Sequence, residues 1–231
     1  MRYCEFENII SHSRMSRYLD ASGGNTRKAM TLYRLNLRLS QELFTVISCF
    51  EITLRNAINK HCLDRMGNDW LKKSATNPEI FNNNHCRLTA TNINDAITKL
   101  SNSYTHNKLV AEMGFGFWRY MFASHQYNAM GKTLLYIFPS KPSSTAAIQY
   151  NQKYVFNQLA RINDIRNRIA HHEPICFRSG QPIIETNYSK QQYILTKQFF
   201  QWMNIEETTF LYGLDHIDNI CDRIDTLIIT D

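Results

Sequence analysis

The segment IRNRIAHHEPI, residues 165–175, combines an arginine with two adjacent histidines just before a proline. Histidine gives and takes protons near neutral pH, and arginine supplies a fixed positive charge that suits a phosphate group. Arg166 lies about one helical turn before His171 and His172. This combination of side chains could act on a phosphodiester bond.

Arg166 interrupts an apolar helical pattern, whose other members are Val155, Leu159, Ile162, Ile165 and Ile169. At ~100° per residue, Arg166 lies ~40° from Ile162 and is predicted to point inward. A buried guanidinium is costly unless it meets a carboxylate or lines a wet cleft. Glu51 is the candidate carboxylate, because it lies in the apolar face of its own predicted helix. A buried Arg166–Glu51 pair that orders two helices is therefore the structural alternative.

Pro174 sets the geometry that is expected at the end of this helix. Proline disfavours helical geometry at the preceding residue, so the helix is predicted to end at His171 or His172. If it stays regular, His171 points ~140° away from Arg166. Convergence then requires unwinding at the proline or a second copy of the motif from another chain. The second option predicts a symmetric dimer with a composite cleft at its twofold axis.

The rest of the pattern favours an all-α fold, because glycine and proline are few and apolar residues recur every three or four positions. Helices are predicted at about residues 6–19, 26–38, 40–66, 87–100, 144–172, 190–203 and 214–228. In the fourth of these helices, Leu88, Ile93, Ile97 and Leu100 are expected to face the core. The aromatic stretch at residues 107–139, which includes GFGFWRYMF, is interpreted as two short core helices around a glycine turn, with a base-stacking platform as the alternative.

Composition restricts the class of protein. A formal net charge of +6 favours a polyanionic partner. The six cysteines form no C-x-x-C pair, and no apolar run is long enough to span a membrane. We therefore expect a cytoplasmic protein with reduced thiols and no membrane partner. Because H-E-x-x-H and glycine-rich phosphate loops are missing from the sequence, we also expect neither a metal nor a cofactor.

Three segments resemble a known family. RNRIAH, residues 166–171, resembles the R-x4-6-H motif of HEPN-domain ribonucleases, and the longer IRNRIAHHEPI is similar to their abortive-infection (Abi-like) branch. FEITLRNAINKH, residues 50–61, resembles the family's upstream helix, and residues 114–122 resemble its aromatic segment. The resemblance implies a single HEPN-like helical domain over residues 1–231, with a core at about 26–175 and C-terminal helices at about 188–228.

The resemblance also implies an activity, namely metal-independent endoribonuclease cleavage in phage defence or a toxin-antitoxin system by a homodimer with a composite active site. It assigns Arg166 and His171 to the catalytic pair, although His172 would equally satisfy an R-x5-H spacing. The matches to its supporting positions are Asn167, Glu51, Arg55 and Asn56. His61 completes another R-x5-H spacing with Arg55 but is expected to be an ordinary helical residue.

The expected substrate is RNA, and an RNA or protein antitoxin is an expected partner. Two other readings stay open at this point. One is a non-catalytic module in which Arg166 and Arg168 bind RNA or another partner, and the other is a structural helical scaffold.

Overall fold

The computed structural model describes residues 1–227, and this part of the chain is helical with no β-strand. The predicted all-α fold is therefore confirmed. Its α-helices are α1 (Tyr3–Ile10), α2 (His12–Ala21), α3 (Thr26–Met66), α4 (Trp70–Thr76), α5 (Arg87–Leu100), α6 (His106–Glu112), α7 (Phe115–Tyr120), α8 (Ser124–Ala129), α9 (Gln152–Ala170), α10 (Asn187–Trp202), α11 (Glu207–Phe210) and α12 (Ile217–Thr226). Within residues 1–227, none of these helices has both the length and the apolar character that a bilayer crossing needs.

Local capping explains where the helix boundaries differ from prediction. The first predicted helix is two helices, because Ser11 adopts a φ of 90° and its Oγ accepts the N–H of Arg14. Conversely, residues 26–38 and 40–66 form one 41-residue helix, since that stretch contains no glycine or proline to end it at Ser40. Helix α9 begins at Gln152 rather than near Ser144. The predicted last helix corresponds to α12, and its predicted end at Ile228 lies outside the described residues.

The described part of the chain divides into two compact units, and the first consists of residues 1–47, 164–197 and 207–227. Its core includes Met15 and Leu39, which are fully buried. Tyr18 of α2 makes edge contacts with Tyr33 of α3 at 5.2 Å and with Phe177 at 5.1 Å between ring centroids. The segment that follows α9 is thereby packed against the N-terminal helices.

The second unit consists of residues 48–163 and 198–206. Phe50 of α3 lies in its centre, 6.0 Å from Phe115 and 5.5 Å from Phe199 between ring centroids. Trp118 is fully buried and donates its indole N–H to the Met113 carbonyl at 2.9 Å. The interpretation of residues 107–139 as short core helices is thus confirmed, although the stretch contains three short α-helices, α6, α7 and α8, where two were predicted.

Leu88 contradicts the predicted inner face of α5, since it is 77% exposed. The buried face of this helix is instead made by Thr89, Ala90, Ile93 and Ala96. Small residues at three of these positions allow the helix to pack closely, and this rotates Leu88 out to the surface. Sequence periodicity favoured the larger side chain and therefore placed the face about one residue away from its true position.

Candidate functional site

The candidate site is built on the last turn of α9, which stays regular as far as His171. The His171 N–H donates to the Asn167 carbonyl at 2.9 Å, the normal helical bond. The His172 N–H then donates to Ile169 at 2.9 Å and the Glu173 N–H to Arg168 at 2.8 Å. This pair of bonds is the Schellman arrangement that ends many helices. The predicted helix end at His171 or His172 is confirmed.

His172 occupies the position in this turn where glycine is usual. Its φ is 56°, the left-handed conformation, which histidine adopts more readily than most residues but still at some cost. Arg14 of α2 stabilises the turn by donating from Nη1 to the His172 carbonyl at 2.8 Å. The side chains of His171 and His172 are both exposed. The chain therefore presents two imidazoles to solvent from a fixed helix terminus.

Arg168 holds the next residues in place. Its Nη2 donates to the Pro174 carbonyl at 2.7 Å, and its Nε lies 3.3 Å from a Glu173 carboxylate oxygen. The guanidinium also lies 5.2 Å from the centroid of the Tyr188 ring. Arg168 is thus engaged in positioning the turn that follows the motif.

Two buried hydrogen bonds anchor Ile175, directly after the proline. The Ile175 N–H donates to Asn36 Oδ1 of α3 at 2.9 Å, and Ser189 Oγ of α10 donates to the Ile175 carbonyl at 2.7 Å. Asn36 is only 3% exposed. Neither Asn36 nor Arg14 was among the residues predicted to form the site. Asn36 carried a signal, since it is a polar residue within an apolar helical face, but nothing in the sequence singled out Arg14.

Arg166 lies at the margin of the core. Its side chain is half-buried, and its guanidinium carbon lies 5.9 Å from the ring centroid of Phe44, close to the outer limit of a cation–π contact. Asn167 is also half-buried. The inward direction that the helical pattern predicts for Arg166 therefore holds only in part. Its pairing with Glu51 stays a prediction.

The upstream residues of the predicted site lie on α3, in the part that belongs to the second unit. Glu51 and Arg55 are half-buried and share one side of the helix through their four-residue spacing, whereas Asn56 is exposed. His61 lies inside the continuous helix, as predicted, with Nε2 at 2.9 Å from Thr133 Oγ1. Burial and the nearby Arg65 lower the pKa of His61.

An open cleft of about 760 Å³ lies in the first unit beside the turn that ends α9. It is lined by Arg17, Arg168, Arg178, Glu173, Glu185 and Tyr188, among others. Arg17 donates to the backbone carbonyl of Arg178 at 3.0 Å, and Arg178 pairs with Glu185 at 3.3 Å. A guanidinium has five N–H donors, so these arginines keep donors for a further anion.

The geometry of the pair restricts how Arg166 and His171 can cooperate. Because α9 is regular through His171, the two side chains leave the helix axis ~140° apart. The chain unwinds only at His172, one residue too late to bring His171 round to Arg166. Of the two routes to convergence that the sequence left open, unwinding before His171 does not occur.

The family model described as Abi-like protein matches residues 3–176, more than half of the chain. The chain belongs to the Abi-like family. The matched region of this Abi-like protein includes the N-terminal helices, all of α3 and α9, and the turn after the motif. It stops before α10. No curated protein and no solved structure matched this Abi-like protein.

Proposed function

We propose that this Abi-like protein is a metal-independent endoribonuclease of the HEPN type that acts in phage defence or in a toxin-antitoxin system. Membership of the Abi-like family suggests a role in abortive infection. The step from that role to RNA cleavage rests on the R-x4-H spacing of Arg166 and His171 and on the chemistry that these side chains offer.

The proposed reaction is attack of a ribose 2′-oxygen on the adjacent phosphorus. The O2′–P bond forms, the bond from phosphorus to the 5′-oxygen breaks, and the products carry a 2′,3′-cyclic phosphate and a 5′-hydroxyl. His171 takes the proton from the 2′-hydroxyl, and the imidazolium that this forms then protonates the leaving oxygen. Arg166 stabilises the negative charge that grows on the phosphoryl oxygens.

The observation that carries the proposal is the way α9 ends. A left-handed His172, held by Arg14, terminates the helix so that His171 is exposed at a fixed position. Since His171 and Arg166 diverge by ~140° within one chain, a complete site takes Arg166 from one subunit and His171 from its partner. We therefore propose a symmetric homodimer with two composite sites.

Charge supports RNA as the substrate. The chain has a formal net charge of +6. The cleft beside the motif contains three arginines, two of which pair with its glutamates Glu173 and Glu185, and each guanidinium has further N–H donors for phosphate. In this proposal Arg55 is a supporting cation and Asn167 the polar residue beside the catalytic arginine. Glu51 and Asn56 are positioning residues on α3.

A cleavage assay in the presence of EDTA tests the function. Wild-type protein is expected to cut single-stranded RNA and to leave 2′,3′-cyclic phosphate ends. An oligonucleotide with a single ribonucleotide in a deoxyribose strand is expected to be cut only after that ribonucleotide, because only there is a 2′-hydroxyl present. Cleavage of the all-deoxyribose strand, or loss of all cleavage on addition of EDTA, would contradict the proposed mechanism.

The second candidate is a non-catalytic module that binds RNA or a protein partner such as an antitoxin. It is favoured by the divergence of Arg166 and His171, which leaves no complete pair within one chain. In that case folded wild-type protein retains RNA without cutting it, and Arg166→Ala weakens retention while His171→Ala does not.

A further inference from the structure

A second recess lies in the other compact unit, between the beginning of α5 and the helices α7 and α8. We call it the α5–α8 groove. Its volume is about 910 Å³, within the range of pockets that hold small organic ligands. None of the residues that line it is among those with a role in the proposed active site.

The two sides of the groove, the beginning of α5 and the helix α8, contact each other at two places. At its buried level, the Gln126 side-chain N–H donates to Thr89 Oγ1 at 3.0 Å, and both residues are less than 9% exposed. At the surface, the rings of His85 and His125 stack with centroids 4.5 Å apart and planes 6° from parallel. The recess is therefore a preformed feature with flat, parallel rings at its rim.

The rim also exposes large apolar side chains. Leu88 is 77% exposed and Tyr120 is 50% exposed, and Phe117 lines the groove between α5 and α7. A cluster of exposed apolar and aromatic groups around a concave site is typical of a binding surface. Flat rings beside apolar side chains suit a flat heterocycle, which can continue the histidine stack or lie against Tyr120.

The charged residues of the groove restrict which flat ligands it can bind. The lining contains Arg87 and the two histidines but no aspartate or glutamate. A groove without carboxylates favours an anionic ligand over a cationic one. An unpaired nucleotide combines a stacking base with a phosphate, and base–aromatic stacking tolerates any sequence.

From this geometry we propose that the α5–α8 groove binds an unpaired nucleotide of single-stranded RNA. The choice of RNA as the ligand rests on the proposed function. The base lies against the exposed rings at the rim, and Arg87 binds the phosphate.

Binding of a fluorescein-labelled, ten-nucleotide 2′-O-methyl single strand tests this proposal without any cleavage, since the strand lacks the nucleophile. Leu88→Glu is the main variant, because its exposed side chain lies in the first turn of α5, where an acidic residue does not disturb the helix. We expect this variant to raise the dissociation constant about 10- to 30-fold, because the added charge repels the phosphates and an apolar contact is lost. His125→Ala is expected to raise the dissociation constant about 5- to 100-fold, because one stacking partner is lost.

Asn94→Glu is the matched control, since it adds the same charge to an exposed position of the same helix outside the groove. It should change the dissociation constant less than about twofold. The proposal would be overturned if Leu88→Glu and Asn94→Glu weakened binding equally, if binding were unchanged in Leu88→Glu and His125→Ala, or if wild type did not bind the strand.

The two proposals can also fail separately. If the groove variants weaken binding but wild type cuts no RNA, the groove proposal is supported and the nuclease proposal is refuted. If wild type cuts RNA but the groove variants bind normally, the nuclease proposal is supported and the groove proposal is refuted.

Discussion

Replacing His172 by glycine is predicted to stabilise the protein without loss of RNA cleavage. His172 has a φ of 56° at the end of α9, and its side chain is exposed, so its removal costs little packing. A left-handed conformation costs an L-residue about 1–2 kcal/mol. Glycine relieves this cost but gains about 0.4–1 kcal/mol of conformational freedom in the unfolded chain. The net expectation is a gain of about 0.5–1 kcal/mol, or a rise of about 1–4 °C in the midpoint of thermal unfolding.

Two matched variants sharpen this prediction. His172→Val puts a β-branched residue at the same positive φ and should lower the free energy of unfolding by about 1–2 kcal/mol. His171→Gly lies within the regular hydrogen-bonding pattern of α9 and should not stabilise the protein. Urea unfolding and RNA cleavage are measured for each protein. Destabilisation by His172→Gly would refute the account of the helix end, and abolished cleavage in a folded His172→Gly protein would assign catalysis to His172 instead.

Three further predictions concern stability and thiol reactivity. Asn36→Ala leaves the buried Ile175 N–H without its acceptor and should lower the free energy of unfolding by about 1–3 kcal/mol, measured in urea, whereas a change below about 0.5 kcal/mol would contradict the anchoring role. Burial lowers the pKa of His106 below its ordinary value of 6.5, so the His106 imidazole binds a proton more tightly in the unfolded chain than in the folded one. The free energy of unfolding should therefore fall as the pH drops below about 6.5, and it should fall less steeply in His106→Gln. Cys4 is the one exposed cysteine within residues 1–227, whereas Cys49 is half-buried and the other four are buried. Burial raises the pKa of the Cys49 thiol, and it raises that of Cys62 to about 12. One thiol per native chain should therefore react rapidly with an aromatic disulfide reagent, and Cys4→Ser should remove that fast phase.

Helical periodicity predicted the all-α fold and the position of the motif because it depends on local spacing. The end of α9 followed from Pro174, since a proline restricts the residue before it whatever the tertiary context. Helix α5 was placed at Arg87–Leu100 with the observed bounds. These features are encoded within a few residues of where they occur.

Features that depend on distant residues were not predictable. The turn at His172 depends on Arg14, which lies 158 residues earlier in the chain. The burial of α5 depends on close packing through Thr89 and Ala90, so the periodicity of its larger residues was misleading. The α5–α8 groove brings together His85 and His125, which no spacing rule connects.

Mixed dimers of two inactive variants give the most direct test of the composite active site. Arg166→Ala and His171→Ala proteins carrying different tags are co-expressed, and dimers that contain both are purified by the two tags in turn. One of their two composite sites then has both Arg166 and His171 intact, so RNA cleavage should recover to about half of the wild-type rate. Each variant alone should form inactive dimers. Mixed dimers that are no more active than either parent, or active wild-type protein that remains monomeric, would contradict the account.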